Sequence, residues 1–235
     1  KKINKKKLVY YKEIIKLLNS IQKIKTRKIK TFLGSNYMVP KYSKKILLDE
    51  ARLFLDWYVP KKIKKNNQNL LKKRLLLILK ILIKKIKFSN KTFVHRDFHV
   101  SNLMIQNKKL CVIDSQDAVF GNIAYDVASL IDDVRLKTSI GFKRILLEEY
   151  IKTNKKINVK NFKNDFEILS VLRNLKIIGI FTRLSIRDKK DSYLKLIPYA
   201  WKLIEQRIDK DKKFIELKII LDKYFSKKTR NKYEN

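Results

Sequence analysis

Few residues in this chain bend, crosslink or loosen the backbone: 235 residues hold four glycines, three prolines and one cysteine. A single cysteine, Cys111, excludes a disulfide framework within the chain and fits a reducing cytoplasm. It lies on an apolar stretch and reads as a small core residue. The glycines (Gly34, Gly121, Gly141, Gly179) are too dispersed to build a glycine-rich phosphate loop. Long apolar runs are also missing. The most hydrophobic stretch, Leu75 to Ile83, is interrupted by Lys80 and followed by Lys84 and Lys85, whereas a membrane span needs roughly 20 apolar residues. The basic start passes at Leu8 into an amphipathic pattern rather than the apolar core of a signal peptide. No internal repeat is present.

Acidic residues are scarce and unevenly placed. None occurs between Trp57 and Arg96, yet six of the 22 fall between Asp97 and Asp133. The formal charge is +36, a field that attracts nucleic acid, anionic lipid or phosphorylated ligands. Lysine, isoleucine and asparagine abound throughout, so the charge reads as a whole-chain bias rather than a built patch. Carboxylates retained against that bias mark places where packing or chemistry demands them. With 45% hydrophobic residues the chain can bury one sizeable core or two small ones.

Those six carboxylates lie in FVHRDFHVSNLMIQNKKLCVIDSQDAVFGNIAYDVASLIDD, Phe93 to Asp133. His95-Arg96-Asp97 is followed five residues later by Asn102, and Asp114 ends the apolar run Leu110 to Ile113. This is the catalytic-loop pattern of kinases with a downstream metal-binding Asp. Phosphoryl transfer needs a group that receives a hydroxyl proton and Mg²⁺ to neutralise phosphate oxygens. Asp97 suits the first task. Asn102 and Asp114 offer the oxygen ligands a hard cation prefers. Leu103 to Ile105 and Leu110 to Ile113 read as strands joined by a turn at residues 106–109, so Asn102 and Asp114 flank a hairpin.

This segment resembles the aminoglycoside phosphotransferase/choline kinase superfamily, which has a protein-kinase-like fold. It is most similar to the bacterial branch that phosphorylates N-acetylmuramate and N-acetylglucosamine at C1. LLDEARLFLDWYV (Leu47 to Val59) and LRNLKIIGIFTRLSIRDKKDSYL (Leu172 to Leu194) carry the branch resemblance further. One departure is Ser115, where the branch has an aromatic residue; it should alter packing, not metal ligation. The resemblance implies an α+β, mostly helical fold. Residues 1–225 would form the large C-terminal lobe with its short catalytic hairpin, residues 226–235 a disordered basic tail, and the small ATP-binding lobe would be absent from this chain. It also implies ATP and Mg²⁺ as cofactors, a small hydroxylated acceptor, a cytoplasmic location, and poor activity for this piece alone.

Several further residues carry two readings. His95 and Arg96 brace the catalytic loop. His99 faces the site or packs in the loop. Asp117 binds a metal or sugar hydroxyl, or holds the turn at Val119 to Gly121. Asp126 accepts hydrogen bonds from the loop backbone. Asp132, Asp133 and Arg135 line the acceptor pocket or form a solvated helix end. Glu50 and Trp57, seven apart on a helix ended by Pro60, bind sugar hydroxyls and stack on a ring, or are a surface carboxylate and a core aromatic. Residues 25–42 read as irregular, 61–69 as a lysine-rich loop, 70–88 as a long helix, 142–151 as another, and 154–164 as a polar loop. Asp165 is expected to cap an apolar helix to about Ser185, in which Gly179 permits close approach. Arg173 and Arg183 on that helix reach the acceptor or pair with Asp132 or Asp133. Two other functions stay open: the same fold acting on an aminoglycoside, choline or other alcohol, and a non-catalytic nucleic-acid-binding or pseudokinase module.

Overall fold

The computed structural model describes residues 5–107 and 109–232. It is mostly helical, with three two-stranded antiparallel sheets among the described residues, and it divides into two compact units. Among the described residues no helix is long and apolar enough to cross a membrane.

The first unit comprises residues up to 43 and 87–166. Helix α1 (Lys5–Ile21) buries Tyr11, Ile14, Ile15 and Leu18 at helical spacing. Residues 25–42, expected to be irregular, contain a hairpin of β1 (Lys28–Lys30) and β2 (Asn36–Met38). Its strands are exposed on both faces, which removes the alternating signal by which a strand is read. Strand β3 (Thr92–Val94) pairs with β6 (Val119–Gly121), and β4 (Leu103–Gln106) with β5 (Lys109–Val112). The two-residue connection between β4 and β5 puts Asn107 at φ 50°, the left-handed conformation such turns require; Lys108 lies outside the described residues. Cys111 on β5 is half-exposed and not a core residue, because this hairpin covers only one side. Helices α5 (Tyr125–Ile131) and α6 (Ile140–Thr153) follow.

Helix α7 (Val159–Asp188) starts well before the expected Asp165. Asn158 accepts from the Asn161 N–H at 3.0 Å and does the capping assigned to Asp165. Asp165 instead sits inside the helix, wholly buried, and gathers four donors. These are the backbone N–H groups of Lys87 and Phe88 (both 2.8 Å) and the side-chain amides of Asn122 (2.7 Å) and Asn164 (3.0 Å). It ties the chain entering β3 to the turn ahead of α5. Truncation leaves buried donors unsatisfied at about 1–3 kcal/mol each, so Asp165→Ala should lower stability by at least about 3 kcal/mol. A urea midpoint unchanged from wild type would refute this.

The second unit holds residues 44–86 and 167–232. Helix α2 (Lys44–Leu53) runs into a π-helical turn (Phe54–Tyr58) and then α3 (Val59–Lys62). Pro60 therefore does not end the helix. The Val59 N–H reaches back to the Phe54 carbonyl, and Pro60, second in α3, falls where the hydrogen-bond ladder has just changed pitch. Helix α4 (Lys65–Lys84) begins inside the expected loop, since lysine and glutamine propagate a helix well once Leu71 and Leu75 have a core to enter. Helices α8 (Ile197–Ile208), α9 (Ile215–Tyr224) and α10 (Lys227–Asn231) complete the unit. Phe54, Tyr58, Trp201 and Phe225 form one aromatic cluster with centroids 5.1–5.8 Å apart. Trp201 donates to the Tyr58 hydroxyl at 3.1 Å.

The disordered tail expected from 226 is corrected over α10. Ser226 caps the helix, and the buried Arg230 bonds Glu205 (2.8 Å) and Asp222 (2.6 Å) while lying 5.0 Å over Trp201. These partners lie 25 and 8 residues away on other helices, so no pattern within α10 itself advertises them. Residues 233–235 lie outside the described ones.

Candidate active site

The site is assembled around β3 and the loop that leaves it. Asp126, wholly buried in the first turn of α5, accepts the His95 N–H at 2.7 Å and the Arg96 N–H at 3.1 Å, one per carboxylate oxygen. This grip holds Arg96 at φ 72°, a left-handed conformation that costs a non-glycine residue about 1 kcal/mol or more. The reversal there sets the course of the loop. The His99 N–H bonds the Asp97 carbonyl at 3.0 Å, and the Asn102 N–H bonds the His99 carbonyl at 3.0 Å.

Asn102 links the loop to the hairpin. Its Nδ2 donates to the Asp97 carbonyl at 3.0 Å, and its own carbonyl accepts from the Ile113 N–H at 3.0 Å. With Nδ2 committed, Oδ1 is the atom left for a ligand. Leu103 pairs with Val112, so Asn102 and the residues after Val112 leave the hairpin side by side. Asp114 then adopts φ 71° and takes a side-chain hydrogen bond from Gln116 at 3.0 Å. Two left-handed non-glycine residues, Arg96 and Asp114, thus bracket the hairpin's partners, a concentration of strain typical of functional loops.

His95 shares this loop. Its ring is buried, and burial lowers its pKa from the ordinary 6.5; the Ile113 backbone, Asp97 and Asp114 beside it act in the opposite direction. Among the described residues no three His, Cys, Asp or Glu side chains gather to hold a metal. The groups that Asp97, Asn102 and Asp114 would offer, two carboxylates and one amide oxygen, suit a hard divalent cation and not a soft one.

The remaining expected residues fall in different places. Arg96 donates to the Asp117 carbonyl at 3.2 Å and lies 5.4 Å over the Tyr42 ring, so it braces the turn before β6. Asp117 is exposed, its carboxylate 3.9 Å from Arg96. His99 is buried in the loop. Asp132 and Asp133 are not a solvated helix end. Asp132 is fully buried and ion-paired with Lys143 at 2.8 Å, and Lys143 also reaches the Ile131 carbonyl at 2.6 Å. Asp133 accepts the Val100 N–H at 3.1 Å and the Arg135 N–H at 2.9 Å, which anchors the far end of the catalytic loop. Both carboxylates are buried and bonded within the protein. Arg135 is exposed, 3.6 Å from Asp133, and remains available to a ligand. A cleft between α1 and the β4–β5 hairpin is lined by Tyr10, Ile14, Val100, Leu103, Ile105 and Leu110.

Glu50 and Trp57 lie in the second unit. Trp57 lies inside the π-turn, so the seven residues between them do not equal two turns of α-helix. Glu50 forms an ion pair with Lys176 of α7 at 2.9 Å. Trp57 is half-buried. Sequence reasoning missed Lys143 and gave Asp165 the wrong task, that of a helix cap. Lys143 is one lysine among many; its only distinguishing sign is a position beside Phe142 on a helix face that turns inward.

Asp97 thus leaves β3 on a loop braced at His95 and Arg96 by Asp126, and Asn102 joins that loop to the β4–β5 hairpin ahead of Asp114. Residues 9–156 match the model of the phosphotransferase enzyme family, and the chain belongs to that family. Three N-acetylmuramate/N-acetylglucosamine kinases are similar to it. That of Neisseria meningitidis serogroup B is 34% identical over 68% of this chain and 50% of its own length. That of Pseudomonas aeruginosa is 28% identical over 77% and 55%, and that of Caulobacter vibrioides 31% identical over 59% and 39%. The chain spans about half the length of the curated relatives it matches.

Proposed function

We propose that this chain is the large lobe of an ATP-dependent kinase that phosphorylates the anomeric hydroxyl of an N-acetylated amino sugar. The observation that carries the reading is the loop geometry: Asp126 fixes the backbone at His95 and Arg96, and Asn102 is latched to the Asp97 carbonyl with Oδ1 left over. Asp97 orients the acceptor hydroxyl and takes its proton as the new O–P bond forms and the bond from the γ-phosphorus to the ADP oxygen breaks. Asn102 Oδ1 and Asp114 are the residues that would hold Mg²⁺, whose charge offsets that of the phosphate oxygens. Asp126 and Asp133 hold the two ends of the loop and move no proton. His95, kept neutral by burial, adds no positive charge beside Asp97.

The absence of a glycine-rich loop supports a division of labour in which a small lobe, in the part of such proteins that this chain does not span, covers the phosphates. This piece alone would then bind nucleotide poorly. A sugar acceptor is favoured over a cationic one because Asp132 and Asp133, the nearest acidic pair in the sequence, are spent on Lys143 and on backbone N–H groups. In the cytoplasm the sugar phosphate would feed a nucleotidyltransferase that makes the UDP-sugar, in cell-wall recycling.

The test is ADP release by a full-length version against two panels with Mg²⁺ present. N-acetylmuramate and N-acetylglucosamine should be turned over, while choline and aminoglycosides should not. The reverse pattern would replace the acceptor class. No Mg²⁺-dependent turnover on either panel, together with salt-sensitive RNA binding, would replace the enzyme reading altogether.

A further inference from the structure

The β1–β2 hairpin carries its apolar residues outward. At its base Val39 is buried, the Arg27 guanidinium donates to the Val39 carbonyl (2.8 and 3.0 Å), and the Val39 N–H reaches the Arg27 carbonyl at 2.8 Å. The apex is closed as firmly. The Gly34 N–H donates to the Thr31 carbonyl (3.0 Å), the Thr31 N–H to the Ser35 carbonyl (2.8 Å), and the Thr31 and Ser35 hydroxyls lie 2.6 Å apart. Gly34 takes the left-handed conformation that closes this turn, φ 77°. Phe32 and Leu33 are therefore held as the two central residues of a bonded turn, Phe32 fully exposed and Leu33 89% exposed. Below them Ile29 pairs with Tyr37 on one face, both about half-exposed, while Lys28 and Lys30 stand on the other.

A single exposed apolar side chain needs no explanation, but several on one short hairpin, two of them at its apex, mark a docking surface. The flanking residues state the chemistry of what docks. Lys23, Lys25, Lys28 and Lys30 are all exposed, and no acidic residue occurs between Glu13 and Asp49. The partner must accept an apolar wedge and carry negative charge around it. A nucleic-acid strand supplies the charge, but its bases stack on flat rings and offer nothing to Leu33. An anionic bilayer supplies both. Its phosphates meet the lysines, its hydrocarbon takes Phe32 and Leu33, and its headgroup layer suits Tyr37. We propose that residues 28–38 are a membrane-docking hairpin whose apex inserts Phe32 and Leu33 into an anionic lipid surface. Apolar insertion and basic charge together give the two signals that stable surface attachment requires. Nothing crosses the bilayer, in keeping with the lack of a spanning helix among the described residues.

The experiment sediments a full-length version with vesicles of mixed phosphatidylglycerol and phosphatidylcholine, and with vesicles of phosphatidylcholine alone. Wild type is compared with Phe32→Ser/Leu33→Ser and with Lys28→Gln/Lys30→Gln. Wild type should partition onto the anionic vesicles and only weakly onto the neutral ones. The apex variant keeps every charge, yet its partitioning should fall by about a hundredfold or more, because two apolar side chains no longer leave water. The lysine variant should lose about tenfold to thirtyfold, and added salt should weaken wild type in the same direction. Both variants should keep the wild-type thermal midpoint, since none of the four side chains is buried. Unchanged vesicle binding by the apex variant would reduce the contact to the overall charge of the chain and overturn the proposal. No binding by wild type, or a lowered midpoint, would overturn it too. An apex-dependent loss of self-association or of single-stranded RNA binding, with no loss on vesicles, would give the hairpin to a second copy or to nucleic acid instead.

Discussion

Asp97→Asn in a full-length version is expected to lower turnover of the sugar by about a hundredfold to ten-thousandfold, the usual contribution of a positioned proton acceptor. ATP should still bind. The asymmetry follows from what holds the loop. Asp97 takes part in loop structure through its backbone carbonyl, which accepts from the Asn102 amide and the His99 N–H. Its carboxylate is not among those bonds. Asparagine keeps the carbonyl, the size and the shape, and removes only the capacity to take a proton. The loop stays pinned by Asp126 at one end and Asp133 at the other. The loss should therefore lie in kcat, with KM for ATP little changed and the thermal midpoint intact. Retained turnover would end the role assigned to Asp97, and a loss of ATP affinity would move that role to the nucleotide.

The β4–β5 hairpin and the loop before it were legible in the sequence because their parts are close together. His95, Asp97, Asn102 and Asp114 span 20 residues, and a short hairpin allows few ways to fold them. What braces that segment was only half legible. Asp126 could be named because the resembled family places an aspartate there. Asp133 and Asp165 could not, since each acts on backbone N–H groups 33 and 78 residues away, and a backbone donor leaves no mark in a sequence. Helix α10 was hidden for another reason: its order depends on Arg230 pairing with carboxylates in α8 and α9, which no local pattern marks. The π-turn at Phe54–Tyr58 misled the face analysis of Glu50 and Trp57 for a different reason. Helical spacing presumes one pitch, and here the pitch changes mid-helix.

That π-turn lies against Gly179, and the second large effect is expected there. A Cβ at Gly179 would lie 2.3 Å from the Leu53 carbonyl carbon, 2.5 Å from its oxygen and 2.5 Å from the Phe54 nitrogen. All three are backbone atoms, so no rotamer change relieves the contact. Two terms compete in Gly179→Ala. Alanine in a helix interior gains about 1 kcal/mol over glycine. Overpacking against fixed atoms costs about 3 kcal/mol or more, and wins. Net destabilisation of at least about 2 kcal/mol should lower the thermal midpoint by roughly 4–8 °C for a chain of this size. Parting α7 from Leu53 should also stretch the Glu50–Lys176 ion pair, now 2.9 Å, that joins α2 to α7 one turn earlier. Gly141 provides the control. It lies in the first turn of α6, and a methyl group there would meet nothing within 4 Å. Gly141→Ala should therefore leave stability unchanged or raise it by up to about 1 kcal/mol. Opposite signs in the two variants would identify backbone contact as the reason for glycine at 179, whereas a stable Gly179→Ala would mean that α7 can move away from the π-turn at little cost.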